Sequence, residues 1–204
     1  MISHSPRFSV LPVLVAATLG MTACGSSSTK TNSTASSATA TTTSSAPATV
    51  VGKSTSVIIS PATTKLLKEN EITVTAVAPA KVKTVLLLPT TGGHFIVSSA
   101  TGTIEDSGGI KLSHAGKSVQ LTGFVVDTES KQVTAIVAGK RVPVFALTLK
   151  SLAHTTGPSG TAVFSGVKLT LTEETASALN GGLGVSVFKT GQEFGIATLT
   201  IAVS

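Results

Sequence analysis

Residues 55–204 predict an all-β domain, an antiparallel sandwich or small barrel of about nine strands with two short helices. Three observations carry that expectation. Apolar residues alternate with Thr, Ser and Gln in short runs, the period of strands buried on one face. Gly, Pro and Asn clusters break these runs at regular intervals and read as turns. Thr and Val are abundant while Glu, Arg and Gln are few, a balance that favours strands over helices.

The elements follow in order. Val57–Ile59 is a brief strand, and Ser60-Pro61 then opens a helix over 61–69. Ser is a good N-cap, and Pro is tolerated at the first helical position, where its missing N–H has no partner to lose. Leu66 and Leu67 point inwards, and the helix fades by Asn70. Ile72–Val77 alternates and stops at Pro79. The run Val85-Leu86-Leu87-Leu88 has no polar alternation and reads as a strand buried on both faces, ended by Pro89 and Gly92-Gly93. Val119, Leu121 and Val125 share a face against Gln120 and Thr122, and Val133, Ala135 and Val137 repeat the pattern. Ala138–Arg141 is a tight turn into Val142–Leu149, with Phe145, Leu147 and Leu149 inward and Pro143 marking an edge or a bulge. Gly157-Pro158-Ser159-Gly160 reverses the chain. Val163, Val167, Leu169 and Leu171 line the next strand. Thr172 caps a second helix over 173–180, with Glu173 and Glu174 set favourably against its dipole and Asn180-Gly181-Gly182 as its stop. Val185–Phe188 and Ala197–Val203 complete the strands.

The strand-to-helix passage from Val57 through Leu67 has an echo 112 positions later, from Leu169 through Leu179. It is either a pseudo-symmetric pair of units or two uses of the same capping chemistry.

Ahead of the domain, Met1–Arg7 carries one positive charge and no acid. Phe8–Leu19 is apolar but too short to span a bilayer. Gly20-Met21-Thr22-Ala23-Cys24 resembles a bacterial lipobox. Residues 1–23 are therefore expected to be a lipoprotein signal peptide, with Cys24, the one cysteine in the chain, as an acylated N-terminus on the extracytoplasmic face of a membrane. Met21 also disfavours ordinary signal cleavage, which wants a small residue there. Residues 24–54 are mostly Ser, Thr and Ala. Such a tract buries too little apolar surface to offset its ordering entropy and is expected to be a disordered linker.

Charge and cysteine content narrow the function classes. The formal charge is +6, but eleven lysines, Arg141 and nine acids leave residues 55–204 near +3, with the bases scattered. No basic face interleaved with aromatics is present, so nucleic acid is not an expected partner. One cysteine excludes an internal disulfide and any multi-cysteine metal centre.

No reactive constellation is legible. The nucleophile elbow G-x-S-x-G, the P-loop and the dinucleotide fingerprint are all absent. Glu105-Asp106-Ser107-Gly108-Gly109 reads as a solvated turn. His94, His114 and His154 are spaced too widely for a local metal motif, and His94 and His154 are expected at loop edges. They remain the candidate ligand-binding residues. No catalytic residue, metal or cofactor is expected.

The stretch Thr103–Leu149, with its Ser107-Gly108-Gly109 turn before a strand and Val125-Val126-Asp127 closing another, resembles secreted actinobacterial proteins, as does LTLTEETASALN over 169–180. More distantly it is similar to the HtaA-type haem-capture β-domains of actinobacterial surface proteins. That resemblance implies a β-domain that ligates haem through Tyr supported by His. This chain has no Tyr, so the ligand does not carry over and no specific haem binding is expected. The leading reading is a non-enzymatic envelope domain for binding or display of an unidentified ligand. A carrier of an apolar ligand, lipid or haem, is the alternative, and an enzyme the third.

Overall fold

The computed structural model describes residues 46–150, 153–157 and 160–204. Cys24, the signal segment and the linker up to residue 45 lie outside the described residues, as does the centre of the reversal at 157–160.

Twelve strands and two helices follow one another as β1 (Ala48–Ile59), α1 (Pro61–Glu69), β2 (Thr73–Val77), β3 (Lys81–Val82), β4 (Leu86–Ile96), β5 (Thr101–Asp106), β6 (Gly109–His114), β7 (Lys117–Asp127), β8 (Gln132–Val137), β9 (Lys140–Thr148), β10 (Ala153–Thr156), β11 (Thr161–Leu171), α2 (Glu173–Leu183) and β12 (Glu193–Val203). Eight of them close a barrel in the order β1-β4-β5-β7-β8-β9-β11-β12, with β12 returning to β1 and β7 pairing β8. Every pairing is antiparallel. Closure leaves no free sheet edge around the ring. The remaining strands are additions. β6 pairs the first half of β7 and is itself paired by β2, while β3 adds to β4 and β10 to β11. The all-β class and the barrel alternative are as the alternation predicts, and the two helices stand where their caps place them.

Ser60 Oγ accepts from Thr63 N, and Thr172 Oγ1 accepts from Thr175 N, so both expected N-caps form. Among the described residues no helix is long and apolar enough to cross a membrane.

Several local expectations are corrected. β1 begins at Ala48, so residues 48–54 belong to the barrel and not to the linker. Lys53 and Ser54 pair with both β4 and β12, and such a laddered Thr/Val-rich segment gains what its composition alone cannot supply. The Leu-rich run is not buried on both faces. Leu86 and Leu88 are in the core while Leu87 is 40% exposed. Pro89 and Gly92-Gly93 do not end β4. The Pro89 carbonyl accepts from Ser107 N, on the side away from β1, so its missing N–H removes no bond to β1. Gly93 (φ 128°) and Gly102 (φ 134°) let β4 and β5 approach so closely that a Cβ at either would overlap the partner's carbonyl oxygen.

Two bulges invert the expected faces. Between Thr122 and Val125, where Gly123 has φ 58°, the inward residues switch from Val119 and Leu121 to Phe124 and Val126, leaving Val125 half-buried. Between Phe164 and Val167 the switch runs from Ala162 and Phe164 to Val167, Leu169 and Leu171, and Val163 leaves the core face. α2 continues through Gly181 and Gly182 and stops at Gly184 in the left-handed region. Val185–Phe188 is no strand. Asn180 takes the partner's place there, accepting from Val187 N and Phe188 N and donating to Phe188 O.

Candidate functional site

The histidines are not gathered. His94 is exposed on β4, opposite Thr49 and Thr103, in a shallow groove of about 240 Å³ that Ile96, Asp127 and Glu129 also line. His114, half-buried at the end of β6, sits with Nδ1 3.1 Å from the Leu183 carbonyl of α2. His94 lies beside the start of β1. α2 follows β11, whose end meets the start of β12 and so the end of β1. The two histidines therefore stand at opposite ends of the barrel. His154 is opposite Phe164 in β10, and its side chain lies outside the described residues. No group of three or more His, Cys, Asp or Glu is arranged to hold a metal ion among the described residues.

Asp127 is a turn-former. Burial alone would raise its carboxyl, but hydrogen bonds from Ser130 and from the Glu129 and Ser130 amides outweigh that and hold it below the usual range.

The residue that sequence reasoning missed is Asp106. Expected in a solvated turn, it is 4% exposed and points into the barrel. Alternation from Ile104, which is fully buried, puts Asp106 on the same inward face, and this was the available signal. The following Ser-Gly-Gly obscures it. Asp106 Oδ1 accepts from Thr90 Oγ1 at 2.7 Å across the β4–β5 pair. Among the described residues Oδ2 has no hydrogen bond of strict geometry, and the buried Thr55 Oγ1 on β1 is near enough to the carboxyl to act on it as a donor. Both residues line an internal cavity of about 30 Å³ walled by Phe124, Phe145, Phe194, Leu88 and other apolar side chains. Desolvation pushes the Asp106 carboxyl up to about 6, against a lesser downward pull from the Thr55 and Thr90 hydroxyls.

The lumen is otherwise packed. Phe145 meets Phe194 at 4.9 Å and lies parallel to Phe124 at 6.5 Å, while Phe95 meets Phe164 edge-on at 5.1 Å. Outside the wall, Thr91, Glu105, Ser107, Gly123 and Arg141 surround an open groove of about 500 Å³ that also touches Asp106 and Phe124. Arg141 Nη1 is held there by the Gly123 carbonyl and Thr134 Oγ1.

Among solved structures, the chain is similar to the C-terminal domain of HtaA from Corynebacterium glutamicum. The identity is 13% and the TM-score 0.60, over 77% of this chain and 99% of that one. The distant resemblance read from residues 103–149 thus holds at the level of the fold. No family model matches the sequence, and no curated protein matches it.

Proposed function

We propose that this chain is a lipid-anchored envelope protein whose barrel binds or displays and does not catalyse. The observation that carries the reading is a barrel of the HtaA domain fold with its interior filled by its own side chains. Pockets for small organic ligands run to roughly 300–1,000 Å³. A lumen of about 30 Å³ supports recognition on the outer surface in preference to carriage inside. The reactive groups support a non-enzymatic role in the same way, since His94 and His114 lie at opposite ends and, among the described residues, the buried carboxyl is flanked by the Thr55 and Thr90 hydroxyls in a chamber that no histidine, lysine or cysteine lines.

In this reading acylated Cys24 is the tether, on the extracytoplasmic face. The Ser/Thr/Ala-rich residues between it and Ala48 serve as the spacer in this reading. The test is Cys24→Ala. Release from the membrane fraction, or retention of the signal segment, is the expected result. Unchanged membrane association and processing would remove the anchor from the reading.

The fold favours one second reading, in which the surface captures haem. A histidine ligand would need its second ring nitrogen held and an apolar wall around it. His114 has the first through Leu183 O, whereas His94 is exposed in a groove shared with two acids. We expect no specific binding. A saturable Soret shift that disappears in His94→Ala, His114→Ala or His154→Ala would promote haem capture over display.

A further inference from the structure

Large aliphatic side chains on the outside of the barrel are few, and they are not scattered. Among the described residues Val51, Ile58, Leu87, Ile136 and Ile196 are the exposed ones, and three of the five meet on neighbouring strands. Ile58 of β1 is the direct partner of Ile196 of β12. Leu87 of β4 pairs with Ser56, two residues back along β1 on the same outward face, so it is the diagonal neighbour of Ile58. Val57, Leu86 and Ala197 beside them point into the core, which turns these three outwards. A single exposed aliphatic residue needs no explanation, but a cluster marks a surface that something covers.

The same register puts a lysine at each flank of the cluster. Lys81 of β3 pairs with Leu87, and Lys168 of β11 pairs with Ile196. Lys83 follows just beyond β3 and is exposed. Across β3, β4, β1, β12 and β11 the one acid is Glu193, and its carboxylate is already 2.6 Å from Lys168 Nζ. Lys81 and Lys83 have no ion-pair partner among the described residues. Glu105, Asp106 and Asp127 belong to β5 and β7.

We propose that the face formed by β3, β4, β1, β12 and β11 docks on an anionic lipid bilayer. Ile58, Leu87 and Ile196 enter the interface, while Lys81, Lys83 and Lys168 reach lipid phosphates along their flexible stems. Apolar side chains rimmed by unpaired bases are the combination that holds a surface on such a bilayer. The proposal rests on the lipid-anchor reading, which brings the bilayer within reach. Ala48 stands 24 residues beyond Cys24. A chain of that length extends to at most roughly 80 Å, about twice the length of β1, so a tethered barrel can lie on its side. A second copy of the chain suits the face less well. It would bring the same lysines against it, and three side chains fall short of the roughly 800 Å² per partner of a stable interface.

The chain has no Trp and no Tyr, so one introduced tryptophan is the sole indole reporter. The full acylated chain carrying Ile58→Trp is reconstituted in vesicles of phosphatidylglycerol and phosphatidylcholine with part of the acyl chains brominated. Its emission should shift to the blue and lose most of its intensity to the bromine. Ile136→Trp, on β8 and four strands from β1 in either direction round the barrel, should emit equally with and without bromine. Lys81→Glu combined with Lys83→Glu should restore the Ile58→Trp emission, and so should high salt or phosphatidylcholine alone. Quenching that ignores all three changes would overturn the choice of an anionic surface. Protein held on the vesicles with both tryptophans unquenched would overturn the docking and leave the tether standing, whereas protein that stays in solution would remove both. Equal quenching at the two positions would overturn the docking as adsorption without orientation. A blue shift that grows with protein concentration before lipid is added would give the face to a second copy instead.

Discussion

β1–α1 and β11–α2 are the same device used twice with different consequences. Each is a strand that runs directly into a capped helix, and both strands flank β12. In the first, Ser60 Oγ and Thr63 Oγ1 both donate to the Glu193 carbonyl. In the second, Thr172 Oγ1 and Thr175 Oγ1 both donate to the Pro143 carbonyl. The cap residue and the residue three on thus tie each helix to one carbonyl of a neighbouring strand. Beyond the first turn the units diverge. α1 buries Thr63 and Leu67 and ends at Asn70, whose amide and Nδ2 both donate to Leu66 O. α2 buries Thr175, Ala176, Leu179 and Leu183, packs over β7, β9 and β6, and uses Asn180 to pin the connector that follows. Identical caps therefore start helices of different weight, and the difference lies in what each helix covers.

The largest test of that contrast is truncation of the inward leucines. Leu179→Ala should cost about 2–5 kcal/mol and Leu67→Ala only about 2 kcal/mol, by urea unfolding. Equal costs would mean that α2 is not the heavier element.

Asp106 belongs to neither unit, which makes its titration a control. Its folded value of about 6 lies above the ordinary 3.8, so the native state binds this proton more tightly than the unfolded chain does. The stabilisation is complete below pH 3.8 and is lost as pH rises through about 6, a loss of about 3 kcal/mol. Thr90 faces the carboxyl from the adjacent β4 and Thr55 from β1 one strand further on, and Glu105 and Arg141 are the charged groups of the groove behind it. Urea midpoints measured across this range should fall equally in the Leu67→Ala and Leu179→Ala backgrounds and flatten in Asp106→Asn. Unequal slopes would couple one helix to the lumen.

The two asparagines come next. Asn180→Ala strands two amides and a carbonyl and should cost about 1–3 kcal/mol. Asn70→Ala removes one bond beside an amide that already serves the same carbonyl, at a cost of about 0.5–1 kcal/mol. Amide exchange at Val187 and Phe188 reads the first directly. It should quicken in Asn180→Ala and stay unchanged in Asn70→Ala.

The smallest difference between the two units is expected at the caps. Ser60→Ala and Thr172→Ala should each cost about 1 kcal/mol. Thermal denaturation that separates them by more than about 1 kcal/mol would break the equivalence of the two first turns.

The sequence by itself determined the class of fold, the start of both helices and most inward faces. These are local matters: period-two alternation, an N-cap hydroxyl and a proline at the first helical position act within a few residues. Wherever alternation ran unbroken, as through Val133 and Ala135 or Phe145 and Leu147, burial followed it. Only the tertiary structure decided the rest. At Gly123, and between Phe164 and Val167, a bulge slips the register by a residue and turns every later side chain to the other face, and a bulge exists only against a partner strand. Residues 48–54 read as linker because their order comes from β4 and β12, far along the chain. Asp106 read as a solvated turn for the same reason. The alternation from Ile104 pointed it inwards, but a carboxylate has a reason to be there only once Thr90 and Thr55 are brought alongside it by strands that close into a barrel.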